Sequence, residues 1–177
     1  MVLQVVEHRG PAELPPAVRI TYRLAEDAAE RTSGPVAVDG HVLCFELVEE
    51  ASPGALLAAP VELDGERLIR LDRVDFPPGG VAYLHTHRGP GIRVLIKGRI
   101  RIETNGTASE YDPLEAWFET GPEPVYAAAS ESDETAFVRC MVLPAELLGR
   151  SSIAYVRDED RDKPKPQRYT GYVDEPL

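Results

Sequence analysis

Cysteine is scarce in this chain: Cys44 and Cys140 are the only two in 177 residues. They lie far apart in apolar runs, so two reduced core thiols are expected rather than a disulfide framework. Basic charge is also in short supply. Nineteen Lys and Arg stand against thirty Asp and Glu, a formal charge of −11. A protein that tracks a phosphate backbone needs a basic face, and an anionic membrane surface would repel this chain. Neither nucleic acid nor membrane is an expected partner. No apolar run approaches the roughly 20 residues that a membrane helix needs. Residues 1–16 lack a basic start followed by an apolar stretch, so no secretory leader is expected and the acidity fits a soluble cytoplasmic protein. No P-loop, Rossmann glycine pattern or Ser-His-Asp elbow occurs, which disfavours phosphate cradling and nucleophilic hydrolysis.

Turn residues are plentiful by contrast, with 14 Gly and 16 Pro dispersed along the chain. Residues 1–19 read as an irregular Pro-rich arm. Ile20, Leu24 and Ala28 repeat at helical spacing, which predicts one short helix over 20–31, ended by Gly34-Pro35. Strands are predicted at 41–49, 67–76, 81–87, 92–97, 99–104, 108–111, 117–119, 125–129 and 135–143. Residues 52–60 read as a loop and 145–149 as a helical turn. Asn105-Gly106 is the strongest hairpin signal, and that turn explains the glycosylation-like Asn105-Gly106-Thr107 better than a sugar does. Many short strands separated by turns predict an antiparallel sandwich or barrel. The charged tail from Tyr155 carries Tyr169 and Tyr172 and is expected to lie across the barrel or a partner subunit. The division is an arm with a helix at 1–35, a β-barrel at 36–150 and a tail at 151–177.

His85 and His87 are two of only four histidines. On a strand, side chains two apart share a face, so the His85-Thr86-His87 triplet places both imidazoles side by side. Two neutral imidazoles at that spacing can grip one divalent ion. His8 and His41 have no such pattern.

These residues resemble the first motif of the cupin family: a Gly, five residues, His-x-His, a short gap, a Glu, six residues and a Gly. Gly79, His85, His87 and Gly98 match it. The stretch from Trp117 to Tyr126, with Gly121 in its turn, occupies the place of the second motif, a Pro-x-Gly turn followed by a His. The resemblance covers about residues 65–145. It implies an all-β cupin-type double-stranded β-helix, a jelly-roll barrel, here with an N-terminal helical arm and an extended C-terminal tail. It also implies a homodimer. Two motif positions depart: the Glu falls on Gly91 and the second His on Pro124. Only His85 and His87 carry over as metal ligands.

Glu119 shares strand parity with Trp117 and is the candidate third ligand, with water completing the shell around a divalent ion of Zn, Fe, Mn or Ni type. Arg93 is the candidate partner for an anionic small-molecule ligand, through a bidentate contact with a carboxylate. Trp117 is a candidate pocket wall. Tyr83, on the parity of the histidines, and Tyr126 are candidates for proton transfer, as is Arg93 for catalytic orientation. Two functions follow. One is a metal-dependent small-molecule enzyme, an isomerase, cyclase, lyase or dioxygenase, with the ion as Lewis acid or dioxygen site. The other is a non-catalytic module that binds a metabolite or sugar and keeps a degraded metal site.

Overall fold

A computed structural model of the chain describes residues 1–62 and 64–177. In chain order its strands are β1 (Val2–Arg9), β2 (Ala12–Leu14), β3 (Val18–Arg23), β4 (Ala28–Thr32), β5 (Val36–Val38), β6 (His41–Val48), β7 (Ala55–Pro60), β8 (Arg67–Phe76) and β9 (Val81–His87). They continue as β10 (Gly91–Lys97), β11 (Ile100–Thr104), β12 (Thr107–Tyr111), β13 (Ala116–Glu119), β14 (Val125–Ala129), β15 (Thr135–Pro144), β16 (Ile153–Tyr155) and β17 (Arg168–Pro176). Short 3-10 turns at Ala145–Leu147 and Asp158–Asp160 are the helical elements among the described residues.

The strands form three five-stranded antiparallel sheets and one small pair, β2-β5. The first sheet runs β4-β3-β6-β1-β7, the second β13-β10-β15-β8-β17, and the third β12-β11-β14-β9-β16. The second and third sheets face each other and enclose a lumen. The first packs on the outer side of the second. Two apolar clusters show this layering. Leu3, Val5, Ile20, Leu43 and Phe45 of the first sheet meet Ile69, Leu71, Ile92, Val94, Val138 and Cys140 of the second. On the other side Val74, Phe76, Leu95, Trp117 and Phe137 meet Ile102, Val125 and Ala127 of the third. The second sheet is covered on both faces, so β15 is buried at nine of its ten positions and reads as a continuous apolar run. Its one interior charge, Arg139, points into the lumen.

Three expectations for the N-terminal third are corrected. There is no helix over 20–31: β3 and β4 form a hairpin paired from Arg19↔Thr32 to Arg23↔Ala28. The turn is made without Gly or Pro. Asp27 takes the left-handed conformation at φ 49°, which Asp tolerates because its short side chain hydrogen-bonds locally. Residues 1–19 are not an irregular arm but contribute β1 and β2. Residues 52–60 are not all loop, since Ala55–Pro60 pairs with β1. Propensity yields here to tertiary context: β1 and β3 flank β6, and together they bury Leu3, Val5, Ile20 and Tyr22.

Asp27 also ties the first sheet to the second. It accepts hydrogen bonds from Tyr22 Oη, at 2.6 Å, and from Tyr172 Oη of β17, and its carboxylate lies 3.0 Å from Arg73 of β8. The tail is built into the sheets: β17 pairs along the whole of β8, and β16 pairs with β9 at His85, Thr86 and His87. Cys44 and Cys140 are both buried, free thiols. No helix among the described residues is long and apolar enough to cross a membrane.

Candidate metal centre

The lumen contains a small cavity of about 20 Å³, lined among others by His85, His87, Arg93, Trp117, Glu119 and Arg139. A cavity needs roughly 10–15 Å³ to hold one water, so this one has room for a water or an ion and not for a metabolite.

His85 and His87 project into it from β9, which Gly79 precedes in a tight turn at φ 70°. Their Nε2 atoms are 3.2 Å apart. His85 Nδ1 lies 2.7 Å from the Tyr83 carbonyl oxygen, which can only accept, so Nδ1 carries the proton and Nε2 presents a lone pair. His87 Nδ1 lies 3.3 Å from Ser152 Oγ. Ser152 Oγ also lies 4.0 Å from Met141 Sδ, a weak acceptor. His85 Nε2 therefore directs a lone pair at His87 Nε2, and their 3.2 Å separation fits either an N–H···N hydrogen bond from His87 or a cation shared by the two rings. Burial lowers the pKa of His85 against the opposing pull of the Tyr83 carbonyl and Glu119, and burial with the nearby Arg139 and Arg93 lowers that of His87 well below the usual imidazole value. Both rings are neutral at pH 7, the form that ligates metal.

Glu119 completes the polar group from β13. Its Oε1 accepts Trp117 Nε1–H at 2.9 Å, and its Oε2 lies 3.7 Å from His87 Nε2. Arg93 Nη2 is 2.7 Å from Glu119 Oε2, but neither atom has a well-aligned hydrogen bond, so the contact is ionic and both atoms keep unused capacity. Arg93 Nη1 donates to the Gly91 carbonyl at 2.6 Å. Burial, opposed by Glu119, pulls the Arg93 pKa down to about 10, which leaves the guanidinium charged at pH 7.

Among the described residues no three His, Cys, Asp or Glu side chains stand ready as a complete metal cluster. The donors do fit an ion in part. Atoms bound to one ion at about 2.0–2.2 Å stand roughly 3–4 Å from each other, and the separations of 3.2 and 3.7 Å fall in that range. The unsatisfied, buried Glu119 Oε2 is the atom that such an ion would use.

Tyr83 is not on the histidine face. The pairing of β9 with β14 passes from Val125↔His85 to Ala127↔Ala82, which leaves two residues of β9, Tyr83 and Leu84, opposite one residue of β14. This bulge breaks the alternation, so Ala82 and His85 both point inward and Tyr83 points out, beneath Lys163 Nζ at 5.0 Å from its ring. Tyr126 is also on the outer face, between the buried Val125 and Ala127, and lines a surface depression with Arg101 and Glu103. Arg93 keeps the predicted inward parity, and Trp117 is a wall of the cavity, stacked on Tyr111 and edge-on to Phe137.

Four residues escape the sequence reading. Arg139 is buried in the lumen wall in a bidentate pair with Asp72, at 2.6 and 3.0 Å. Burial alone would lower its pKa; Asp72 outweighs burial and raises it. A single Arg inside the apolar run of β15 is the sequence signal for this pair. Ser152, partner of His87, and Tyr169, on the cavity wall, come from the tail, where no motif marks them.

Neither a protein-family model nor a curated protein matches the chain. Similar solved structures include a cupin-2 domain protein from Rhodospirillum rubrum, 20% identical over 52% of this chain and 60% of that one, with a TM-score of 0.43. The polyketide cyclase RemF from Streptomyces resistomycificus is 18% identical over 58% of this chain and 67% of that one, at a TM-score of 0.43. An oxalate oxidase is 18% identical over 45% of this chain and 47% of that one, at 0.39. The chain thus spans under half the length of the oxalate oxidase. The overlaps are partial and the TM-scores lie below 0.5; the barrel described above is defined by its own strand order and register.

Proposed function

We propose that this chain is a cupin-type protein that holds one divalent metal ion in its barrel and acts on a small organic molecule beside it. The observation that carries the reading is the convergence of two neutral, oriented imidazole nitrogens 3.2 Å apart in a chamber the size of one ion. His85 and His87 would hold the ion, with Glu119 Oε2 as third ligand. The ion would supply Lewis acidity toward a carbonyl or carboxylate, or a dioxygen site if it is iron.

The chain's own residues set the conditions. The Tyr83 carbonyl fixes the His85 tautomer and Ser152 Oγ orients the His87 ring, as outer partners of metal-bound histidines do. Arg93 lies 2.7 Å from one Glu119 oxygen, and Trp117 Nε1–H anchors the other at 2.9 Å. Phe76, Phe137 and Val74 exclude water around them. Arg93 is committed to Glu119, so its proposed contact with an anionic ligand requires that pair to loosen.

The second reading, a non-catalytic binding module, is favoured by one observation: a chamber of about 20 Å³ admits no metabolite while closed. Metal analysis separates them. Purified protein exposed to Zn, Fe, Mn and Ni salts should retain close to one equivalent of one of them, and His85→Ala should lose it. Retention of no metal by the unaltered protein would remove the proposed centre. Retention without turnover of any carbonyl or carboxylate substrate would leave the module. A homodimer and a cytoplasmic setting remain part of the proposal, the first tested by native mass.

A further inference from the structure

Outside the histidine chamber lies a second pocket of about 360 Å³, within the usual range for small-molecule sites. The two share three wall residues, Arg139, Ile153 and Tyr169. These three residues form the wall that stands between the two spaces. The partition comes from β15 and from the tail: Ile153 on β16, Tyr169 on β17. The Tyr169 ring lies over the Arg139 guanidinium at 5.5 Å and its hydroxyl accepts Gln167 Nε2–H at 3.2 Å. Yet Tyr169 is 46% exposed, so its ring can swing outward without leaving a core. Ser152, which orients His87, lines the outer pocket as well.

We infer that this outer pocket binds a small aromatic carboxylate on its way to the histidine chamber, and that Tyr169 is the gate between the two. This rests on the reading of the chamber as a reaction site. The charge points to an anion: Arg70, Arg139 and Lys165 line the pocket, Asp174 pairs with Arg70 and Asp72 with Arg139, and Lys165 remains as a local excess of one positive charge in a chain of net charge −11. A free anion is repelled elsewhere and drawn here. Arg139 gives Nε and Nη2 to Asp72, which leaves Nη1 for a carboxylate. The ring preference comes from the remaining wall, Tyr155, Tyr169 and Ile153, which offers aromatic and aliphatic surface beside the Ser151 and Ser152 hydroxyls. The loop over the pocket is pinned by Lys165 Nζ, which donates to the Asp160 carbonyl at 2.7 Å and sits 4.7 Å over the Tyr155 ring. That makes the pocket a formed site, while the partition remains free to open.

The test uses full-length protein, stripped of metal, titrated calorimetrically with benzoate and with neutral benzamide. Benzoate should bind at least tenfold more tightly. The pair Asp72→Asn with Arg139→Gln, which removes both charges together, should abolish that preference, and Tyr155→Ala should weaken benzoate severalfold should the pair variant fail to fold. Tyr169→Ala should speed removal of bound metal by a chelator several-fold. No benzoate binding at millimolar concentration, or binding that the pair and Tyr155 variants leave unchanged, overturns the site. An unaltered chelation rate in Tyr169→Ala overturns the gate. Because the titration uses metal-free protein, a failure of the metal centre shows separately, as absent metal uptake with benzoate binding intact.

Discussion

Glu119 stands directly across the β10–β13 ladder from Gly91. The cupin motif that the sequence resembles has its glutamate at the place of Gly91, and under the proposed reading Glu119, on the same inward face of the neighbouring strand, would take over that carboxylate's part. The two positions are not interchangeable. A Cβ at Gly91 would lie 2.5 Å from the Cys140 carbonyl oxygen and 2.7 Å from Met141 Cγ, too close for backbone that is locked into the ladder.

Gly91→Glu therefore should not restore a motif ligand. Overpacking of a tight core costs about 1–3 kcal/mol or more, and this side chain would also bring a second buried negative charge. The expected outcome is a markedly lower melting temperature with no gain in metal stoichiometry. A folded Gly91→Glu protein with tighter metal binding would show that the strand can shift and that Glu119 is not the substitute.

Removing Glu119 should do more harm than its single metal bond explains. Glu119→Ala leaves Arg93 buried and uncompensated, which typically costs about 3–5 kcal/mol, as does Arg93→Met in the opposite sense. The double change of Arg93→Met with Glu119→Leu should recover most of that stability, because two apolar side chains replace two desolvated charges. Denaturant unfolding of the two single variants and the double closes the cycle; additive losses would mean the 2.7 Å contact carries little energy. Metal affinity should drop in every variant that lacks the carboxylate and should survive, weakened, in Arg93→Met.

Trp117→Phe tests the other support of Glu119. The ring volume is partly kept against Tyr111 and Phe137, but the Nε1–H donor at 2.9 Å is lost. A buried acceptor left without its donor costs about 1–3 kcal/mol. The expected readout is a modest loss of stability with a weaker grip on metal. Unchanged affinity would place Glu119 outside the ligand set.

Much of the barrel could be read from the chain because its strands are bracketed by strong turns. Pro77-Pro78-Gly79-Gly80 and Asn105-Gly106 delimit β8, β9, β11 and β12 almost to the residue. The inward parity of His85, His87, Arg93, Trp117 and Glu119 was legible for the same reason. The N-terminal sheet was not, because the β3–β4 turn carries no Gly or Pro and its apolar residues fall at helical spacing by chance of a hairpin. Tyr83 was misplaced because a bulge has no sequence signature of its own. Tyr169 and Ser152 were invisible for a different cause: they reach the site through strand pairings more than 65 residues apart in sequence, as in Ile153↔His87 and Thr170↔Arg73.

Acid should destabilise the metal-free protein, through the two site histidines. Both have folded pKa values lowered by burial from the usual 6.5. The unfolded chain then binds protons that the folded one refuses. In the interval between the lowered folded values and about 6.5, the unfolded state holds more protons, so stability rises with pH. The contribution is fully present above about pH 6.5 and is lost as pH falls through that value and on toward the folded pKa values. Melting temperature should therefore be flat from pH 8 to 7 and decline steadily from about pH 6.5 to 5. His87→Gln, which cannot charge, should flatten that decline. Bound metal should also lower it near neutrality and then release steeply, since protons and ion compete for the same Nε2 lone pairs. A melting profile of His87→Gln that falls with acid as steeply as the unaltered protein would leave His87 uninvolved, and the same result in His85→Gln would move the titration to carboxylates elsewhere.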